Sequence, residues 1–177
     1  MKKVCISFLV LAIIFLSVVG VSLNATQPTK EYLRIHIRAN SDRQQDQAVK
    51  YQVRDAVISF LTPKIAQVKD KKGATKMLND NLETITQVAV GVLEQNGFYY
   101  GASVKIKNEQ FPTRVYGDFT LNQGFYDALI IELGSAQGQN WWCVVYPPLC
   151  FTGGSNNYVI NSKIVEMIKA FKQRIGR

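Results

Sequence analysis

The sequence predicts an α+β fold: one strand, two helices, a set of mostly antiparallel strands and a C-terminal helix packed as one domain, behind an N-terminal signal or anchor helix. Three observations carry that prediction. Apolar and polar residues alternate at period two over residues 33–38, and two following stretches repeat apolar residues at helical spacing. The second half is rich in β-branched and aromatic residues cut by Gly, Asn and Pro.

The N-terminal segment comes first. Lys2 and Lys3 precede an apolar run, residues 4–21, and no charged side chain reappears until Lys30. Basic residues followed by an apolar run form the order of a secretory signal. The positive-inside tendency keeps the N-terminus in the cytoplasm and sends the remainder across the membrane. The run is about as long as the shortest membrane-spanning helix. Gly20-Val21-Ser22 offers a small-x-small cleavage site, and Leu23-Asn24-Ala25 a poorer one. Residues 1–25 are therefore read as a signal peptide or an uncleaved membrane anchor. Residues 26–177 are read as a single extracytoplasmic α+β domain of roughly 150 residues, enough for one core.

In the segment EYLRIHIRANSD, Leu33, Ile35 and Ile37 alternate with Arg34, His36 and Arg38, the pattern of a half-buried strand with a polar face. The strand is expected to stop at a helix cap. Ser41 with Gln44 three residues on makes a capping box, and Asn40 and Asp42 are alternative caps. The first helix then carries Val49, Val53, Ala56, Val57 and Phe60 on one stripe, with Lys50 and Arg54 on the other side, and is checked near Pro63. KDKKG reads as a charged surface loop. A second long helix follows, with Leu78, Leu82, Ile85, Ala89 and Val92 on one stripe and Asn96-Gly97 as its stop.

SVKIK, TRVYG, FYDALIIEL and WWCVVY read as strands, and GSAQGQN between the last two reads as a hairpin loop. After TGGSNN, Ile164, Ile168, Phe171 and Ile175 mark an amphipathic C-terminal helix. The helices are expected on one face of the sheet.

Composition and motifs exclude several function classes. The chain has 177 residues and a formal charge of +8 spread along it, which favours solubility and attraction to an anionic membrane surface. No clustered basic patch points to nucleic acid. The single histidine, His36, reads as a solvated side chain sooner than as a base. No nucleophile-base pair, phosphate loop or dinucleotide fingerprint occurs, and one histidine with two cysteines beyond the signal does not readily fill a zinc shell. The expectation is a protein without catalytic residues, metal, cofactor or small-molecule substrate.

NWWCVVYPPLCF is the chemically richest stretch. Cys143 and Cys150, exported together, face an oxidising or non-reducing space where a disulfide is the default, and two buried free thiols beside a proline turn are the alternative. Adjacent Trp141 and Trp142 on a strand point to opposite faces. One can join the core while the other is exposed beside the rigid Pro147-Pro148 turn or is covered by the C-terminal helix.

RANSD with DQAVKYQVRDAV, FPTRVYG, GFYDALIIELG and NWWCVVYPPLCF together resemble the stage II sporulation protein R family of endospore-forming bacteria, over residues 33–151. The resemblance implies a non-catalytic signalling protein made in the forespore and secreted across its membrane into the intermembrane space. There it activates a membrane-embedded aspartic protease of the mother cell, through that protease's external domain. The protease then processes the inactive precursor of the mother-cell sigma factor. Two sets of residues are the partner-binding candidates: Asn40, Ser41 and Asp42 at the strand-to-helix turn, and Trp141, Trp142, Pro147 and Pro148 around the cysteine pair. The competing reading is an exported cell-wall or peptide hydrolase using His36 or a carboxylate pair, and a third is a scaffold at the septum.

Overall fold

The structure is a computed structural model that describes residues 31–151 and 158–175. The predicted signal or anchor, the linker 26–29 and the segment 152–157 lie outside the described residues. Strand β1 (Leu33–Arg38) leads into helix α1 (Gln44–Ile65), which is followed by α2 (Lys71–Asn79) and α3 (Leu82–Gln95). Then come β2 (Ala102–Phe111), the short strands β3 (Arg114–Tyr116) and β4 (Phe119–Leu121), β5 (Gly124–Leu133) and β6 (Asn140–Tyr146). A 3-10 turn (Leu149–Phe151) and helix α4 (Tyr158–Ile175) complete the fold. The α+β class stands. Among the described residues no helix is long and apolar enough to cross a membrane.

The sheet is mixed, in the order β2-β5-β1-β6. β2 runs antiparallel to β5 and β1 antiparallel to β6, but β1 and β5 are parallel, with Leu33 opposite Asp127 and Arg38 opposite Glu132. β1 therefore inserts between β5 and β6, and the 134–139 segment is not the expected hairpin. It crosses over the end of β1, where Gly138 N donates to Ala39 O (2.9 Å) and Gln137 N to Asn40 O (3.2 Å). β3 and β4 pair only with each other, as a separate hairpin, and β4 was not among the expected strands.

A central strand is covered on both sides, which corrects the half-buried reading of β1. Leu33, Ile35 and Ile37 face the helices, while Arg34 (0% exposed) and His36 (4% exposed) lie buried on the opposite face. Helix α1 fills the first face through Val49, Val53, Val57, Leu61 and Ile65, all buried, and each such side chain contributes roughly 1.5–3 kcal/mol on burial. Lys50, expected on the solvent side, is buried as well.

Pro63 does not stop α1. It lies on the exposed side of the helix next to exposed Ser59, so the bond it cannot make is lost where water can replace it. KDKKG is not a loop either. Asp70 accepts from Gly73 N at 2.7 Å and caps α2, so the glycine sits in the first turn of a helix. The expected second long helix is two helices, α2 and α3, separated at Asp80-Asn81. The stop at Asn96-Gly97 is present, with Gly97 at φ +75°. Helix α4 buries Ile164 and Phe171. Its Phe171 ring meets Tyr32 (5.3 Å between centroids) and Tyr146 (6.0 Å), at the opposite end of β1 from the crossing segment.

Candidate functional site

The turn between β1 and α1 is built from side chains that reach across the chain. Asn40, Ser41 and Asp42 do not cap α1; the residue at the N-cap is Arg43, with no side-chain cap bond. Instead Asn40 Oδ1 accepts from Ser135 N (2.8 Å), and Asp42 Oδ1 accepts from Gln139 N (2.7 Å). Asn40 and Asp42 thus stitch the end of β1 to the segment that crosses it. Two glycines make the approach possible. A Cβ at Gly134, where φ is +55°, would stand 2.3 Å from Asn40 Oδ1, and one at Gly138 would stand 2.2 Å from the Ser41 carbonyl oxygen.

Beneath this turn lies Asp46, 1% exposed. Its carboxylate accepts from Ser41 Oγ, from Tyr100 Oη at 2.6 Å and from Asn40 Nδ2 at 3.2 Å. Burial alone raises a carboxyl pKa, but the hydrogen bonds from Ser41, Tyr100 and Asn40 outweigh it and hold Asp46 below its ordinary value. The same bond to Asp46, after burial, pushes the Tyr100 hydroxyl upward. Lys50, one turn on, donates to Gln47 Oε1 (2.6 Å) and to Gln139 O (3.0 Å), and burial lowers its pKa. Sequence reading missed Asp46 and Lys50. Their signal was spacing: positions 46, 50, 53 and 57 follow one face of α1, so two charged residues stood in line with the apolar stripe.

β6 starts where this turn ends. Trp141 and Trp142 do point to opposite faces. Trp141 lies on the helix face opposite Ile37, with the Arg54 guanidinium 5.6 Å from its ring centroid. Trp142 lies on the other face, stacked on His36 (5.3 Å) and covered by Arg114 of β3 (4.4 Å). Both are half-buried. Further along, Cys143 and Cys150 are joined in a disulfide with 6.0 Å between their Cα atoms. The bridged loop folds back on the sheet edge, where Val144 N donates to Cys150 Sγ at 2.9 Å. Pro147, after a cis peptide bond, and Pro148 are both buried. Asn40, Ser41, Asp42 and the tryptophans therefore gather at one end of β6, and the prolines lie at the other.

His36 is not solvated. Nδ1 lies 3.0 Å from Glu109 Oε1, Nε2 lies 2.8 Å from Asn140 Oδ1, and Phe111 and Trp142 close the ring in. Burial is the largest influence and lowers its pKa. Arg38 spans Glu109 and Glu132, and Lys105 joins Glu132 at 2.6 Å. With both ring nitrogens engaged and little exposure, the ring presents no free atom to a substrate. Among the described residues no cluster of His, Cys, Asp and Glu is arranged to hold a metal ion.

Comparison with known proteins follows the same segments. The family model for stage II sporulation protein R matches residues 29–156. The chain is 36% identical over 131 residues to stage II sporulation protein R of Bacillus subtilis (strain 168), an alignment that covers 74% of this chain and 58% of that relative. The chain thus spans somewhat more than half the length of the curated relative it matches. No solved structure matches it. The turn at Asn40–Asp42, the crossing segment and the bridged β6 all fall inside the matched region, and the chain belongs to the stage II sporulation protein R family.

Proposed function

We propose that this protein is an exported sporulation signal that activates a membrane-embedded aspartic protease of the mother cell, so that the protease processes the inactive sigma-factor precursor. The observation that carries the reading is family membership across residues 29–156. Two features of the molecule support it. The basic, apolar N-terminus has the order of an export signal, and the domain carries a cysteine bridge of the kind that persists outside the cytoplasm.

The contact surface in this reading is the end of β6 beside the β1–α1 turn, where Asn40, Ser41, Asp42, Trp141 and Trp142 come together. Half-buried tryptophans on an edge strand supply the anchoring aromatic area that protein contacts favour. The hydrolase alternative gains nothing from His36, whose nitrogens are both occupied.

Reconstitution in a non-sporulating host tests the proposal. The exported chain is co-expressed with the protease and the sigma-factor precursor, and cleavage is read on a gel. Cleavage should require both the chain and its N-terminal segment. Absence of cleavage with all three partners well expressed overturns direct activation.

A further inference from the structure

Arg34 is the least expected residue in the interior. It is fully buried, and its guanidinium carbon lies 4.2 Å from the Phe111 ring centroid, 4.9 Å from that of Tyr126 and 5.7 Å from that of Tyr116. Nη2 donates to Tyr116 Oη at 2.7 Å, whereas Nε and Nη1 are buried with no hydrogen-bond partner. Among the described residues no carboxylate forms an ion pair with it. A buried guanidinium held by neutral tyrosine hydroxyls and three aromatic faces, with no counter-charge, is costly, because its polar groups have given up water with little replacement.

We propose that Arg34 is a recognition site for a carboxylate, occluded by Tyr116 of the β3–β4 hairpin, which gives way to the incoming ligand. The geometry of the guanidinium carries the inference. Nε and Nη2 lie along one edge of the planar group and match the two oxygens of a carboxylate. Tyr116 offers one oxygen, fills the Nη2 half and leaves Nε bare. A carboxylate in its place satisfies both positions and supplies the missing counter-charge, while the aromatic walls keep the pair dry. A single guanidinium between apolar walls fits a monoanion better than a phosphate.

The cover is a hairpin separate from the main sheet. β3 and β4 hydrogen-bond to each other and not to the four-stranded sheet. The hairpin is anchored at its β4 side by Leu121, 1% exposed in the core, with Phe119 packed against it, whereas its β3 side is held, besides Tyr116, by Arg114 over Trp142, a contact that contributes little at a surface. The site stands independently of the signalling proposal, since it rests on the Arg34 environment alone.

The test follows the Arg34 Nε–H resonance of the full-length protein in detergent micelles. The additions are acetate, inorganic phosphate, a short capped peptide with one Glu, and the same peptide with Gln. In Tyr116→Ala, acetate and the Glu peptide should each produce a saturable shift, and the Gln peptide none. The wild type should reach the same end point at about tenfold or more higher concentration, because the closed hairpin reduces the competent population. Tyr116→Phe keeps the ring, loses the hydroxyl and carries the test if the alanine variant does not fold. A stronger response to the Glu peptide than to acetate assigns the carboxylate to a polypeptide, and equal responses assign it to a small acid. No saturable shift in a folded Tyr116 variant overturns the proposal, as does a response to the Gln peptide or a preference for phosphate.

Discussion

Asn40 Oδ1 accepts the backbone N–H of Ser135 at 2.8 Å, and the Ser135 hydroxyl in turn donates to Asn40 O at 2.7 Å. This reciprocal pair joins the first strand to the segment that crosses over it. Removing the Asn40 side chain leaves the exposed Ser135 N–H to water and takes one donor from buried Asp46. Asn40→Ala should therefore destabilise the domain by about 1–2 kcal/mol, read as a lower urea midpoint with an unchanged slope.

Two glycine substitutions should move stability in opposite directions. Gly134→Ala places a methyl against Asn40 Oδ1 at a residue with φ +55°, and should cost about 2 kcal/mol or more. Gly91 lies inside α3 with nothing within 4 Å of an added Cβ, so Gly91→Ala should gain about 0.5–1 kcal/mol. Thermal melts of the two variants against the wild type check both signs.

The only histidine makes its titration unambiguous. Its pKa is lowered from 6.5 in the fold, chiefly by burial, so the unfolded chain takes up the proton more readily. This contribution to stability is complete above pH 6.5 and is lost as pH falls through the lower folded value. As oriented, Glu109 and Asn140 are both acceptors, which suits the imidazolium. A half-turn of the Asn140 amide presents its NH₂ to Nε2 and suits the neutral ring. Histidine resonances followed against pH should give a midpoint below 6.5, and His36→Gln should flatten the loss of stability in that window.

Asp46 acts lower on the scale. Its pKa falls below 3.8 because its hydrogen bonds outweigh the opposing effect of burial. Its contribution is present above 3.8 and is lost as pH falls through the folded value. Asp46→Asn should weaken the domain by about 3 kcal/mol at neutral pH and reduce the steepness of acid unfolding followed by circular dichroism.

The Cys143–Cys150 bridge closes a short loop with a sequence separation of seven. Chain entropy values such a loop at about 2.5 kcal/mol, less the stiffness that Pro147 and Pro148 already give the unfolded chain. Replacing both cysteines by alanine should cost no more than that, in denaturant titrations without reductant.

Local pattern revealed the elements better than their neighbours. Period two located β1, but whether its second face meets water depends on β6 and the β3–β4 hairpin, more than a hundred and about eighty residues away. That is why Arg34 and His36 looked solvated. The same non-local cause hid the parallel β1–β5 pairing, since a glycine-rich segment between two strands reads as a hairpin until a third strand is known to lie between them. The cysteine pair was legible because its partners sit seven residues apart. Among the candidate residues, Asn40 and Asp42 looked like caps because capping is the local use of those side chains, and the acceptors here serve N–H groups from another part of the chain.

The order of the strands also dictates when the domain can form. β1 leads the described chain, yet both strands that flank it come from the last third, at residues 124–133 and 140–146. Synthesis of this chain from its N-terminus releases a strand whose neighbours do not yet exist. The sheet can close only after residue 146 emerges, so β1 waits for β5 and β6 before it gains its neighbours. A chain truncated before β6 would keep β1 with one bare edge and Arg54 facing no tryptophan, and would be a substrate for quality-control proteases rather than a smaller version of the protein.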